Sequence, residues 1–173
     1  MRLAYTMAPG RGDTDLILAG LAADLVTRGL PCCGTVQINT ECADAGPCDM
    51  DVRVLPDGPV LRISQTLGPS ARGCRLDPEA LETAVGLVAA GLSSDAGLLI
   101  INKFGRHEAE GRGFRDVIGQ ALAMGVPVLV GLNALNREAF EAFAGGMAIR
   151  LPPERAALRA WVDGATGTVA KIA

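Results

Sequence analysis

The stretch that most restricts how this chain can fold is its beginning: an apolar run, a glycine-bearing turn, then a helical segment. Leu3-Ala4-Tyr5-Thr6-Met7 reads as a strand. Ala8-Pro9-Gly10-Arg11-Gly12-Asp13-Thr14-Asp15 follows as a turn. The spacing predicts a helix over about Thr14–Arg28, stopped by Gly29 and Pro31. A strand, a glycine turn and a helix in this order put free backbone N–H groups at a helix N-terminus, the place where mononucleotide-binding proteins keep an anion. The GxxxxGK(S/T) pattern of such a loop is nevertheless absent. The turn holds no lysine, and Asp13 and Asp15 stand near where phosphates would come.

Further along, the chain repeats the alternation of strand and helix. Cys33–Ile38 reads as a second strand, and Asn39–Met50 as an irregular acidic stretch. Asp51–Leu55 and Pro59–Ser64 are short alternating runs joined by Pro56-Asp57-Gly58, an Asp-Gly hairpin signal. Gln65–Leu76 reads as a loop. Asp77-Pro78-Glu79 opens a helix to about Gly91, with Asp77 as its cap and Pro78 at its first position. Ala96–Ile101 is a continuous apolar run, hence a buried central strand. Asn102–Gly111 reads as a polar loop, Arg112–Met124 as a helix, Pro127–Gly131 as a strand, and Asn133 as the cap of a helix to about Ala144. Met147–Leu151 is a last strand, Pro152-Pro153 opens a final helix through Trp161, and residues 164–173 read as a loose tail. The pattern predicts one α/β domain over 1–173, three-layered, with a mostly parallel sheet and an inserted β-hairpin at 51–64. Ligands of such sheets sit beyond the carboxyl ends of the strands. The loops leaving those ends are 8–14, 39–50 and 102–111, with a fourth near Asn133.

Composition sets the outer bounds. At 173 residues the chain is one domain in size. Apolar residues are 49% and aromatics only 3%, so the core is built from Leu, Val, Ile and Ala. A net charge of −3 argues against a general nucleic-acid binder. No apolar run reaches the ~18 residues of a membrane span. No secretory leader is legible at the N-terminus, so a cytoplasmic location is expected. The five cysteines are an odd number, which with the expected cytoplasmic location disfavours structural disulfides, and the lack of a CxxC pair disfavours a zinc ribbon.

Candidate chemistry gathers on three loops. In the first, Gly10, Arg11, Gly12, Asp13 and Thr14 would offer backbone N–H groups to an anion, with Arg11 standing in for the missing lysine. The alternative is an ordinary turn in which Asp13 caps the helix and Asp15 complements its dipole. In the loop after the central strand, Lys103, Arg106, His107 and Arg112 could hold an anion, and Glu108 or Glu110 could orient a water. The alternative there is a solvated charged loop. Asn102 stands where a magnesium-holding acid would end the strand, and an amide is the poorer ligand. In the third loop Arg72, Gly73, Cys74 and Arg75 form a basic group that Arg53 and Arg62 of the hairpin could join. Cys48 and Cys74 are a weak thiol pair for a metal, and Cys32-Cys33 is expected to pack at the start of strand two. One histidine leaves no Ser-His-Asp order, and no GxGxxG fingerprint is present.

Over about residues 3–150 these features resemble a bacterial family of P-loop-like proteins, a domain of unknown function associated with molybdate-transport genes. The stretches that carry the resemblance are Pro47-Cys48-Asp49-Met50-Asp51, Ile63-Ser64-Gln65, Arg72-Gly73-Cys74-Arg75-Leu76-Asp77 and Asn102 through Phe114. More distantly the chain is similar to small P-loop nucleoside-triphosphatases, with Thr35, Asp57-Gly58, Asn102-Lys103-Phe104-Gly105 with Glu108, and Phe114 in corresponding order. The resemblance implies a P-loop NTPase-like sheet and molybdate or tungstate as ligand, bound for delivery or storage with little or no hydrolysis. It also implies molybdate-transport or molybdoenzyme proteins as partners. Two other readings stand beside it: a nucleoside-triphosphatase with non-standard residues, needing magnesium and using Glu108 or Glu110, and a regulatory module without ligand. Apolar helices would allow a homodimer. The departures are the loop lysine and the strand-end acid. Losing such charge stabilisation costs several kcal/mol of a barrier, at about 1.4 kcal/mol per tenfold in rate.

Overall fold

A computed structural model of the chain describes residues 2–39, 49–65 and 75–167. Seven strands form one sheet in the order β4-β3-β2-β5-β6-β1-β7. They are β1 (Leu3–Thr6), β2 (Cys32–Asn39), β3 (Met50–Leu55), β4 (Val60–Arg62), β5 (Leu98–Phe104), β6 (Val128–Leu132) and β7 (Ala148–Leu151). β1 pairs in parallel with both β6 and β7, and β5 with both β2 and β6. β3 and β4 are the antiparallel hairpin, closed by Pro56-Asp57-Gly58 and added to the outer edge of β2.

Helices cover both faces, so the buried parallel strands are apolar on both sides. α1 (Asp13–Thr27) and α6 (Arg155–Thr166) lie on one face, where Leu18, Leu21, Leu25, Leu158 and Val162 pack on Ala4, Leu98, Ile100 and Leu129. α2 (Pro78–Gly91), α4 (Arg115–Ala123) and α5 (Arg137–Ala144) lie on the other, against Leu3, Tyr5, Leu99, Ile101, Val128 and Val130. Alternate residues of one strand thus enter opposite cores. The connection after β1 runs over one face and that after β6 over the other. These strands are neighbours, so a crevice opens at their carboxyl ends, the switch point at which open α/β sheets bind ligands.

Local signals explain most boundaries. Asp77 caps α2, its carboxylate accepting from the N–H groups of Glu79 and Ala80 at 3.0 and 3.1 Å. Two boundaries are corrected. β5 continues through Asn102 and Lys103 to fully buried Phe104, where a polar loop is expected from the sequence. Phe104 drives this extension: it packs edge-on to Phe140 of α5, centroids 5.2 Å apart. The final helix starts at Arg155 rather than at the two prolines and continues beyond Trp161 to Thr166. Part of the predicted tail is therefore helical, and residues 168–173 lie outside the described residues. Among the described residues no helix is long and apolar enough to cross a membrane.

Candidate functional site

The loop after β1 bends at a glycine directly into α1. Gly12 is the N-cap of α1, with φ 84°, a left-handed conformation that glycine supplies without steric cost. No side chain caps this helix, so the expected Asp13 cap is not formed. Asp13 instead folds back over Gly10, where a Cβ would come within 2.0 Å of its Oδ2. The Thr14 hydroxyl accepts from the Ala8 N–H at 2.9 Å and closes the loop. Asp15 is buried under α1, and Lys103 Nζ lies 3.8 Å from its Oδ2.

A cavity of about 530 Å³ opens at the switch point. Met7, Gly10 and Arg11 from the first loop line it, with Asn133 after β6, Arg150 of β7 and Pro153. Arg11 and Arg150 are both exposed, and among the described residues no carboxylate pairs with either. A second cavity of about 280 Å³ adjoins it at Asn133. Its walls are mainly apolar, from Met50, Ile63, Leu76, Leu81, Phe114 and Leu135, with Gln37, Asn102 and Lys103 among its polar residues.

The loop after β5 is a folded clamp. Gly105 starts the short helix α3 (Arg106–Ala109), and Glu108 is buried beneath it. Glu108 Oε2 accepts from the Gly105 N–H at 2.8 Å and Oε1 from the Phe114 N–H at 3.3 Å. Burial pushes its carboxyl above the usual carboxylate range, against the opposing pull of those N–H groups. His107 is also buried, with Nε2 2.7 Å from Glu82 Oε1 of α2. Glu82 Oε1 accepts from the Gly113 N–H as well, at 3.1 Å. Arg106 and Arg112 both reach Glu110, at 2.7 and 2.6 Å, and hold its carboxyl below the usual range.

The expected site residues therefore fall into separate groups. Gly10 and Arg11 border the switch-point cavity, and Lys103 sits beside it on Asp15. Arg106, His107 and Glu110 lie together around a shallower hollow with Gln65, Leu76 and Arg112. Arg75 pairs with Asp49 at 3.3 Å, and Arg62 with Asp49 and Asp51 at 2.8 and 3.0 Å, so these two cations meet carboxylates. Arg72, Gly73, Cys48 and Cys74 lie outside the described residues. Cys32 and Cys33 are buried free thiols at the start of β2, and burial pushes Cys32 up to about 11. Among the described residues no three His, Cys, Asp or Glu side chains gather as a metal cluster. Sequence reasoning missed Arg150, whose strand reads as an ordinary edge, and the Asp15–Lys103 pair, which joins residues far apart in the chain. The one visible sign of the latter is a lysine directly after the strand-end Asn102.

The family model described as "Protein of unknown function (DUF2478)" matches residues 3–161. The chain belongs to that family. It is 37% identical over 162 residues to the "Molybdenum import ATP-binding protein ModC 2" of Bradyrhizobium diazoefficiens. That match takes in 92% of this chain and 18% of the relative, so the chain spans under a fifth of that protein's length. Two solved structures share the fold. The solution structure of a human cancer-related nucleoside triphosphatase superposes with a TM-score of 0.64 at 17% identity, covering all of both chains. The crystal structure of THEP1 from Aquifex aeolicus gives 0.63 at 16% identity, covering 99% of this chain and all of its own. The chain is a mixed α/β domain with the fold of the small P-loop nucleoside-triphosphatases.

Proposed function

We propose that this domain binds a compact oxyanion, molybdate or tungstate, at the switch point and delivers or stores it with little or no hydrolysis. One observation carries the reading. The loop has a glycine bend and a helix start that no side chain caps, yet Asp13 covers Gly10, and the cations lining the crevice are Arg11 and Arg150. Guanidinium groups and backbone N–H groups suit a tetrahedral dianion. The molybdenum-import relative supports the choice of anion. Catalysis by a water poised on Glu108 has no support in the geometry, because both of its oxygens accept from backbone N–H groups. Glu110 is held by two arginines at the surface.

Titration calorimetry with sodium molybdate tests this. A charge-assisted hydrogen bond contributes roughly 1.5–3 kcal/mol, so Arg11→Ala and Arg150→Ala should each weaken binding about tenfold or more. Arg159→Ala, which removes a partner of Asp24 on α1, should leave it unchanged. Equal affinity in all four proteins would sink the reading.

A further inference from the structure

Two buried polar side chains, Asp15 and Asn102, and the half-buried Lys103 converge between β1, β6 and β5. Asp15, in the first turn of α1, is 3% exposed. Asn102, near the end of β5, is 2% exposed, and neither its Oδ1 nor its Nδ2 has a hydrogen-bond partner. An orphaned buried amide is costly, and native folds retain few. Gly131 of β6 shows where that amide points. A Cβ built on Gly131 would lie 3.0 Å from Asn102 Oδ1 and 3.3 Å from Thr14 Cγ2. The orphaned oxygen therefore faces the first turn of α1. Into the same corner Lys103 brings its ammonium, 3.8 Å from Asp15 Oδ2. That separation is an ion pair longer than a hydrogen bond, so the ammonium keeps donors for a third group.

A carboxylate and an amide oxygen are hard donors of the kind that ligate magnesium. Here the carboxylate faces a lysine instead, and an ammonium beside Asp15 repels a divalent ion from that position. The residues present do not fit a resident metal. We propose that Lys103 is a built-in cation, held by Asp15, which takes the place of both the loop lysine and the metal. The Lys103 ammonium and Asn102 Nδ2 then donate to an oxyanion bound without any divalent ion. The ligand rests on the reading above; the cation rests on the Asp15, Asn102 and Lys103 geometry alone.

Removing the lysine should uncover a metal site. The probe is Mn²⁺, followed by electron paramagnetic resonance in the absence of any oxyanion. Wild type should bind no Mn²⁺ at this corner. Lys103→Ala and Lys103→Ser should bind it at least about tenfold more tightly than wild type, and each should regain with Mn²⁺ the melting temperature it loses in chelator. The double variant Asp15→Asn/Lys103→Ala should lose that binding, which separates this corner from surface carboxylates. Wild-type binding as tight as that of Lys103→Ala overturns the proposal, as does the failure of both folded single variants to bind Mn²⁺. A separate arm titrates wild type with molybdate in chelator and in magnesium. Equal affinity supports the built-in cation, and a requirement for magnesium overturns it. Absence of molybdate binding in both conditions defeats the oxyanion reading and leaves the Mn²⁺ result to decide the cation.

Discussion

Glu108 looks in the sequence like one more acid in a charged loop, and folding gives it a different task. Its two oxygens tie Gly105 to Phe114, and its burial raises its folded pKa above the unfolded value. The sign follows from linkage. Between the two pKa values the folded state binds more protons, so stability falls as pH rises through the folded pKa and is greatest below the unfolded one. Glu108→Gln removes this titration and replaces one acceptor by a donor. It should cost about 1–3 kcal/mol, and wild type should gain on the variant as pH falls toward the ordinary carboxylate range. Urea denaturation of both proteins from neutral to mildly acidic pH checks this; a difference independent of pH would contradict it. Residues whose role is set by neighbours close in the chain were legible, such as Asp77 as a cap. Asp13, Glu108 and Asn102 were not, because the path of the folded loop and burial decide what a carboxylate or amide does there.

At the level of elements, the alternation of apolar and helical runs revealed every strand and most helices, since period and capping are local. The reach of β5 through Asn102 to Phe104 was hidden, because the aromatic contacts on Phe104 come from α5. The β2–β5 pairing offers a sharp test. Gly34 of β2 has φ 113°, and a Cβ there would sit 1.9 Å from the Ile100 carbonyl oxygen. Gly34→Ala must push β2 from β5 and should cost about 3 kcal/mol or more. Gly86 is exposed inside α2 with nothing within 4 Å of its built Cβ, so Gly86→Ala should stabilise by about 0.5–1 kcal/mol. Thermal melts of the two variants should move in opposite directions; a shared direction would contradict the packing described.

Across the whole molecule, the crossover connections decide where ligand chemistry gathers. β1 and β6 send their connections over opposite faces, and the loops beyond them form the crevice with Arg11 and Arg150. The position of that crevice follows from strand order and was legible from the alternation of elements. Its cations were legible only in part: Arg11 and Lys103 lie in stretches that the sequence singles out, whereas Arg150 arrives from β7. The fold of a nucleoside-triphosphatase is thus combined with a first loop that carries Asp13 and no lysine, and with Asn102 among the last residues of β5. The direct measurement of the central claim is a thermal-shift panel on the wild-type chain with molybdate, tungstate, sulfate, phosphate, ATP and GTP, each in chelator and in magnesium. A ligand that binds only the native state adds RT ln(1 + [L]/Kd), so micromolar binding at millimolar ligand raises the melting temperature by several degrees. The account predicts a rise with molybdate or tungstate that is the same in chelator and in magnesium. A rise confined to ATP or GTP with magnesium would contradict it.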